Sequence, residues 1–504
     1  VEPADVQTPL YDAAGARAFD RAAIDERGLP GIDLMRAAGR ASDRVRRGRF
    51  AGLHRIAVLA GPGSNGGDGC EVARLAHAAG CDVSLVRVTG RAAEGDAAIA
   101  LAAAVAAGVP VVERPDGAVE ADLDGVELIV DALLGTGAAG APTGGVARAV
   151  AAIADSGLPV LALDQPSGVD ASTGAAPGPV VRADATVTYH CDKLGLRVEP
   201  GRTLAGAVVV APIGIPADVA VDPVAVRVED AAALVPRRTD TGSKYASGAV
   251  LVVGGAVGMA GAPVLAAEAA LRAGAGVTTV LVPDAVQPTA AGWLREAMVR
   301  PLGDDPEAVI GRYAERAAAV VLGPGLGRDA PADRVVRAVL ALERPLVVDA
   351  DALWWCADDP APLAARRAPT VITPHTGEAA RLLGVEPGAI DAQRVASARA
   401  LAERTGAVAL LKGADTLVAA PDGRLGVRAL ACAELATAGS GDVLAGVVGA
   451  CLARGAEPWA AALAAAALHV AAGRRAAARA HGGAIIAGDL IGSLVAPDRP
   501  GSPA

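Results

Sequence analysis

The stretch RIAVLAGPGSNGGDGCEVARLAHAAG, residues 55–80, decides the fold class. Its opening, RIAVLA, is apolar and rich in strand formers, and CEVARLAHAAG carries apolar residues at helical spacing. The glycine-rich run GPGSNGGDG (61–69) joins the two. A strand that feeds a helix through a short glycine turn is the building unit of a parallel sheet. The alternation continues through DVSLVRV, VELIVDA, LPVLALD and ADATVTY, with alanine-rich helical segments between most of them. A second series starts at GAVLVVGGA (248–256) and runs through VTTVLV, AAVVLGPGLG, RPLVVDADAL, PTVITPHTGE and AVALLKGADT. The intervening stretch, with its prolines and charges near 220–240, reads as a boundary. An α/β chain is therefore predicted, with two different three-layer α/β/α domains over 1–222 and 223–504.

The composition agrees. The chain has 504 residues, enough for two large cores, and is 52% hydrophobic but only 2% aromatic. An interior of Ala, Val, Leu and Gly suits helices packed closely on sheets more than a β-sandwich. A net charge of −10 without a long basic run argues against a nucleic-acid surface or an anionic membrane. The six cysteines are scattered, which fits neither a disulfide framework nor a zinc site and suggests a reducing cytoplasm. The start of the sequence lacks the pattern of a signal peptide. WAAALAAAALHVAAGRR (459–475) is too short to span a bilayer and is expected to be a buried helix.

Several strand ends carry polar groups. GPGSNGGDG offers Asn65 and Asp68, and its glycines are expected to permit positive φ and close approach of a ligand. VDALLGTG ends on Asp131, LALDQPSG on Asp164 and Ser167, and Lys193 follows a fourth strand. In open α/β sheets, ligands bind at these carboxyl ends, although single strand-end aspartates also serve as helix caps. Oxygen donors such as Asn65, Asp131 and Ser167 favour a hard cation over zinc. Asp164 would be left for proton transfer, with burial raising its pKa.

In the second half, TAGSGDVLAG (437–446) places Asp442 where a helix begins behind Gly439 and Gly441. Backbone N–H groups there suit a phosphate, and Asp442 suits a hydroxyl whose proton must leave as phosphate arrives. A plain N-capping turn is the alternative. Lys412 and Thr416 end another strand as candidate nucleotide contacts, and His375 and Glu378 sit at a third. The Walker pattern GxxxxGK[ST] is absent.

These motifs resemble a known pair of domains. VLGPGLG, VVDADAL, TPHTGE, LLKGADT and LATAGSGDVLAG occur in the order of the NAD(P)H-hydrate dehydratases of the ribokinase-like superfamily. LMRAAG, GPGSNGGDG, DALLGTG, LDQPSGVDASTG and DKLG resemble the Rossmann-like NAD(P)H-hydrate epimerase domain. The likeness covers roughly residues 10–495 and is to the bifunctional nicotinamide nucleotide repair enzymes.

The resemblance implies that Ser64, Asn65, Gly66, Gly67 and Asp68, with Gly135, Thr136, Gly137, Ala138, Ala139, Gly140 and Ala141, hold the hydrated dinucleotide. It implies potassium on Asn65, Asp131 and Ser167, and Asp164 as substrate contact and acid/base. It places Ala262, Gly325, His375 and Asp442 against the hydrated cofactor, with Asp442 as catalytic base. Lys412, Gly413, Ala414, Asp415, Thr416 and Gly441 would hold ADP or ATP, with Mg2+ accompanying the nucleotide. A cytoplasmic homo-oligomer is expected. Ser64 stands where the family usually has a second asparagine, and Thr376 where proline is usual. Two other readings stay open: a ribokinase-like small-molecule kinase of hydroxymethylpyrimidine or sugar type, and a first half that is a non-catalytic binding module.

Overall fold

The computed structural model describes residues 7–228, 234–236, 243–428 and 432–495. The chain forms two compact units, Pro9–Ala225 and Val226–Ala504 with Val1–Thr8. The strands, in chain order, are β1 Gln7–Leu10, β2 Arg55–Ala60, β3 Asp82–Arg87, β4 Val111–Glu113, β5 Leu128–Ala132, β6 Val160–Leu163, β7 Ala185–Tyr189 and β8 Ala207–Ala211. They continue as β9 Ala225–Val228, β10 Ala249–Val253, β11 Val277–Val282, β12 Met298–Pro301 and β13 Ala319–Leu322. The last five are β14 Leu346–Val348, β15 Thr370–Ile372, β16 Val408–Leu411, β17 Thr416–Ala419 and β18 Leu425–Arg428.

In the first unit seven strands pair in the order β4-β3-β2-β5-β6-β7-β8, all parallel. Side chains alternate across a strand, and both sides are covered. Ile56, Val58 and Ala60 join a core with Met35, Ala73 and Ala76. Ala57 and Leu59 join another with Val150 and Ile153. The two helical layers on one sheet make the predicted sandwich.

The junction after β2 differs from the expectation. Its helix spans Ser64–Ala78 and so begins inside SNGGDG. None of the glycines at 61, 63, 66, 67 and 69 has a positive φ. Gly61, Gly66, Gly67 and Gly69 are crowded, a Cβ on Gly66 lying 2.1 Å from the Gly61 carbonyl oxygen, whereas a Cβ on Gly63 would meet nothing within 4 Å. The sequence pattern is a close-packing signature rather than a flexible turn.

The second unit holds an eleven-stranded sheet, β1-β9-β18-β17-β16-β15-β14-β13-β10-β11-β12. From β12 to β16 it is parallel. The parallel pairing that strand–helix alternation implies is interrupted at β17, which runs antiparallel to both β16 and β18. A tight turn at Asp422-Gly423 joins β17 to β18, with Gly423 at φ +94°.

Helices Gly261–Arg272, Ser440–Ala453 and Pro458–Arg479 share a core with Val250 and Val252. Pro458–Arg479 is the predicted alanine-rich buried helix, and no described helix is long and apolar enough to cross a membrane. A Cβ on Gly446 would meet the Ala266 carbonyl oxygen at 2.1 Å. Gly446→Ala is therefore expected to destabilise by about 1–3 kcal/mol through overpacking. Alanine's helix propensity, worth about 1 kcal/mol, works the other way and does not decide the sign. A lower urea midpoint at unchanged slope is the expected readout.

Candidate active sites

The strand order of the first unit reverses between β2 and β5, which is where an open α/β sheet leaves a crevice. A cavity of about 570 Å³ opens there, lined by Ser64, Asn65 and Asp68 after β2, Gly135 to Ala138 after β5, and Asp164 and Lys193. Asp164 follows β6 at φ +64°, a conformation rare for a side-chain-bearing residue. Lys193 Nζ donates to its Oδ1 at 2.8 Å and to Thr188 Oγ1 at 2.6 Å. Thr136 donates its N–H at 2.8 Å and its hydroxyl at 2.5 Å to Asp164 Oδ2. Burial raises the Asp164 pKa, but the Lys193 ammonium and the Thr136 bonds outweigh it and hold the carboxyl below its ordinary value. The expected upward shift is thus corrected: Asp164 is ionised.

Asp131 is fully buried. Its carboxylate accepts from Ser167 N at 2.8 Å, Ser167 Oγ at 2.7 Å and Leu133 N at 3.2 Å. Burial pushes its pKa to about 6 against those bonds. Asn65 donates Nδ2 to the Leu163 carbonyl at 3.2 Å, while its buried Oδ1 has no partner among the described residues. Gly66 and Gly67 pack against Gly61 and Met35 and do not line the cavity. Ala139, Gly140 and Ala141 lie beyond its lining. Asp20, which the sequence did not single out, lines it from helix Ala13–Arg21.

In the second unit the order reverses between β10 and β13. A Cβ on Gly325, in the loop after β13, would lie 3.0 Å from the Ala262 Cβ, so these two predicted contacts are neighbours. Gly439, at φ +82°, caps helix Ser440–Ala453 and turns the chain so that Asp442 falls in the first helical turn. Left-handed φ at that point is what glycine supplies. The Asp442 side chain has no hydrogen-bond partner among the described residues.

Lys412, at the end of β16, donates to Asp349 Oδ1 at 3.0 Å and stands 3.8 Å from Glu378 Oε2. Asp349 also accepts from Thr373 Oγ1 at 2.7 Å. A Cβ on Gly441 would be 3.4 Å from Lys412 Nζ, which brings the lysine to the helix start. Burial, then the Asp349 charge, pushes the Asp442 pKa up to about 7 despite Lys412. Burial likewise lifts Glu378 to about 7. Buried His469, held near 4 by burial, is neutral, so its Nε2–H donates to the Ser440 carbonyl at 2.9 Å and braces the turn.

His375 is the N-cap of helix Thr376–Leu383: Nδ1 accepts from Gly377 N at 2.9 Å and Glu378 N at 3.3 Å. His375 is thus a helix cap that stays exposed. The Asp415 carboxylate faces inward to Arg394 at 2.7 Å, leaving Gly413 and Ala414 as the exposed part of the loop. Asp349 and Arg394 are further residues of this site that sequence reasoning missed. The repeated Asp of VVDADAL at a strand end was the available signal for the first; Arg394 had none.

The comparisons with known proteins follow the same division. A family model described as NAD(P)H-hydrate dehydratase matches residues 250–494, and one described as YjeF-related protein N-terminus matches residues 31–195. The bifunctional NAD(P)H-hydrate repair enzyme of Moorella thermoacetica is 40% identical, over 96% of this chain and 96% of that protein. The chain belongs to the bifunctional NAD(P)H-hydrate repair enzyme family. The Escherichia coli member of this repair-enzyme family is 36% identical over 98% of this chain and 94% of its own. Among solved structures, the ADP/ATP-dependent NAD(P)H-hydrate dehydratase of Bacillus subtilis, co-crystallised with ATP/Mg2+, is 28% identical. It covers 52% of this chain and 93% of its own, with a TM-score of 0.46.

Proposed function

We propose that the chain repairs hydrated NADH and NADPH in two steps. The domain at 1–222 interconverts the R and S epimers at the hydroxyl-bearing C6, and that at 223–504 removes water from the S form at the expense of ADP. Membership of the repair-enzyme family supports the pair of activities, and the arrangement around Asp442 carries the second. A base must sit beside a phosphate site only if an oxygen is to receive a phosphoryl group. Asp442, unpartnered, at an amide-rich helix start and beside Lys412, meets that requirement.

In the dehydration, Asp442 takes the C6 hydroxyl proton while the β-phosphoryl group of ADP moves to that oxygen, releasing AMP. Lys412 and the N–H groups behind Gly439 offset the charge on the phosphoryl oxygens. The C6–O bond then breaks with its electron pair going to phosphate, and the ring nitrogen's lone pair assists. Loss of a proton from C5 restores the dihydronicotinamide. Mg2+ would arrive with the nucleotide and neutralise phosphate charge. In the first domain Asp164 holds the substrate and accepts a proton. The buried, unpaired Asn65 Oδ1 beside oxygen donors on neighbouring strand ends fits potassium, with Asp131 and Ser167 completing the set. The ion would supply fixed positive charge beside the loop Gly135–Ala138.

The test is incubation of mixed hydrated NADH epimers with ADP and Mg2+. The reduced ring's absorbance should recover completely, with AMP and phosphate formed in equal amounts. A stable phosphorylated product would instead mark a small-molecule kinase. The dehydration rate should rise with pH through about 7, where Asp442 loses its proton. Asp349→Asn removes a charge that raises this pKa and leaves Lys412 to lower it, so the rise should move to more acid pH. An unmoved pH–kcat profile would exclude the Asp349–Lys412–Asp442 coupling.

A further inference from the structure

Interconverting two epimers at one carbon needs a proton acceptor and a proton donor in the same cavity. In the resting site Asp164 is the acceptor, because Lys193 and Thr136 keep it ionised. Lys193 is 2% exposed and is bonded to Asp164 and Thr188; burial works against its charge, but the Asp164 carboxylate outweighs it and holds the proton more firmly. It is a poor donor. The Tyr189 hydroxyl is engaged with Ser42 Oγ at 3.0 Å, and burial holds its proton tightly.

Asp68 has the opposite surroundings to Asp164. It is only 8% exposed, lines the cavity, and has no hydrogen-bond or ion-pair partner among the described residues. Its position in the second turn of helix Ser64–Ala78 is past the reach of most of the helix-end charge. We propose that Asp68 is the proton donor of epimerisation and works as a pair with Asp164, a role that rests on the epimerase reading above. Burial first, then the Asp164 and Asp20 charges, pushes the Asp68 carboxyl well up, so that it keeps its proton where Asp164 has lost its own. Two carboxyls driven apart by their surroundings divide acid and base duties.

The step balances. Asp68 gives its proton to the C6 hydroxyl oxygen, the C6–O bond breaks with its pair on the departing water, and the ring nitrogen's lone pair closes an N1=C6 bond. Water adds to the other face of C6, that π pair returns to nitrogen, and the added water's proton goes to Asp164. One water leaves and one enters, and the proton then passes from Asp164 back to Asp68 through solvent, which restores the resting pair. The opposite reaction runs the same steps backwards from the state with the proton on Asp164.

The charged groups sharing the cavity with Asp68 are Arg17 and Asp20 from helix Ala13–Arg21, Asp96 from helix Gly95–Ala106, and Asp164 and Lys193. His190 and Cys191 complete the titratable set, His190 held neutral by burial and Lys193, Cys191 pushed to about 11. Neither is a donor matched to neutral pH.

The experiment follows epimer exchange in the full-length chain without ADP, across pH, by separating the R and S hydrates of NADH. Asp68→Asn should slow exchange about a hundredfold to a thousandfold. It should also abolish the alkaline fall of the wild-type profile, which reports loss of the donor's proton, and leave S-epimer dehydration with ADP unchanged. Exchange within about threefold of wild type, or a persisting alkaline fall, overturns the proposal. Asp20→Asn, which leaves both proposed groups in place, should move the alkaline fall to lower pH because one opposing charge is gone; an unmoved fall overturns it too. Wild-type chain that exchanges epimers no faster than buffer would overturn the epimerase reading itself, which separates that failure from failure of Asp68.

Discussion

Asp442→Asn is expected to lower dehydration of the S hydrate about a thousandfold, the range of a lost general base, with epimer exchange unaltered. Asparagine keeps the size of aspartate, and neither Gly439 nor the His469 bond to the Ser440 carbonyl involves the carboxylate, so the glycine-capped turn survives. What disappears is the acceptor for the substrate's hydroxyl proton. Fold stability gives an independent check with a definite sign. The Asp442 carboxyl titrates near 7 in the folded chain against 3.8 ordinarily. Between those values the folded state holds a proton that the unfolded state has lost, so the group's contribution to stability falls as pH rises through the window. The variant should therefore melt no lower than wild type at pH 8. Rate measurements with purified S hydrate, ADP and Mg2+ read the first effect, and thermal melts read the second. Equal loss of both activities in a chain that melts normally would argue against two separate sites.

The backbone plan was legible because the two periodicities are so clean. Apolar runs such as RIAVLA and VLVV become central strands, and alanine-rich spacers become helices. The strand-end residues Asp164, Lys193 and Lys412 could be placed for the same reason, since the sheet itself brings carboxyl ends together, and Asp442 by the glycine-flanked helix start that carries it. Three features were not legible. Glycines 66 and 67 read as a ligand loop, yet close packing against Gly61 and Met35 explains them, and sequence cannot show which neighbour forbids a side chain. The pKa of Asp164 went the opposite way because Lys193, 29 residues away, supplies the decisive charge. Asp349 was passed over as part of a strand motif, although it fixes Lys412 and raises Asp442. All but the Gly61–Gly66 contact join residues distant in sequence.

The second large effect is expected at Asp164. Without its carboxylate the cavity loses the acceptor that Lys193 and Thr136 hold in place, so repair of mixed hydrates should split into a full-rate phase on the S form and a slow remainder set by spontaneous exchange. A non-catalytic binding module predicts instead that both epimers are consumed as before. The choice of substitution matters physically. Asp164→Ala leaves Lys193, 2% exposed, as a buried ammonium bonded only to Thr188, and breaking a buried pair typically costs about 3–5 kcal/mol. It also puts a Cβ-bearing residue with no polar tip at φ +64°, a region that Asn and Asp tolerate best. Asp164→Asn keeps an oxygen for Lys193 and suits that backbone, yet cannot serve as a base. Loss of exchange in both variants, with the asparagine chain melting close to wild type, assigns the effect to proton transfer. Full-rate consumption of the R hydrate by a folded Asp164→Asn chain would remove Asp164 from the reaction.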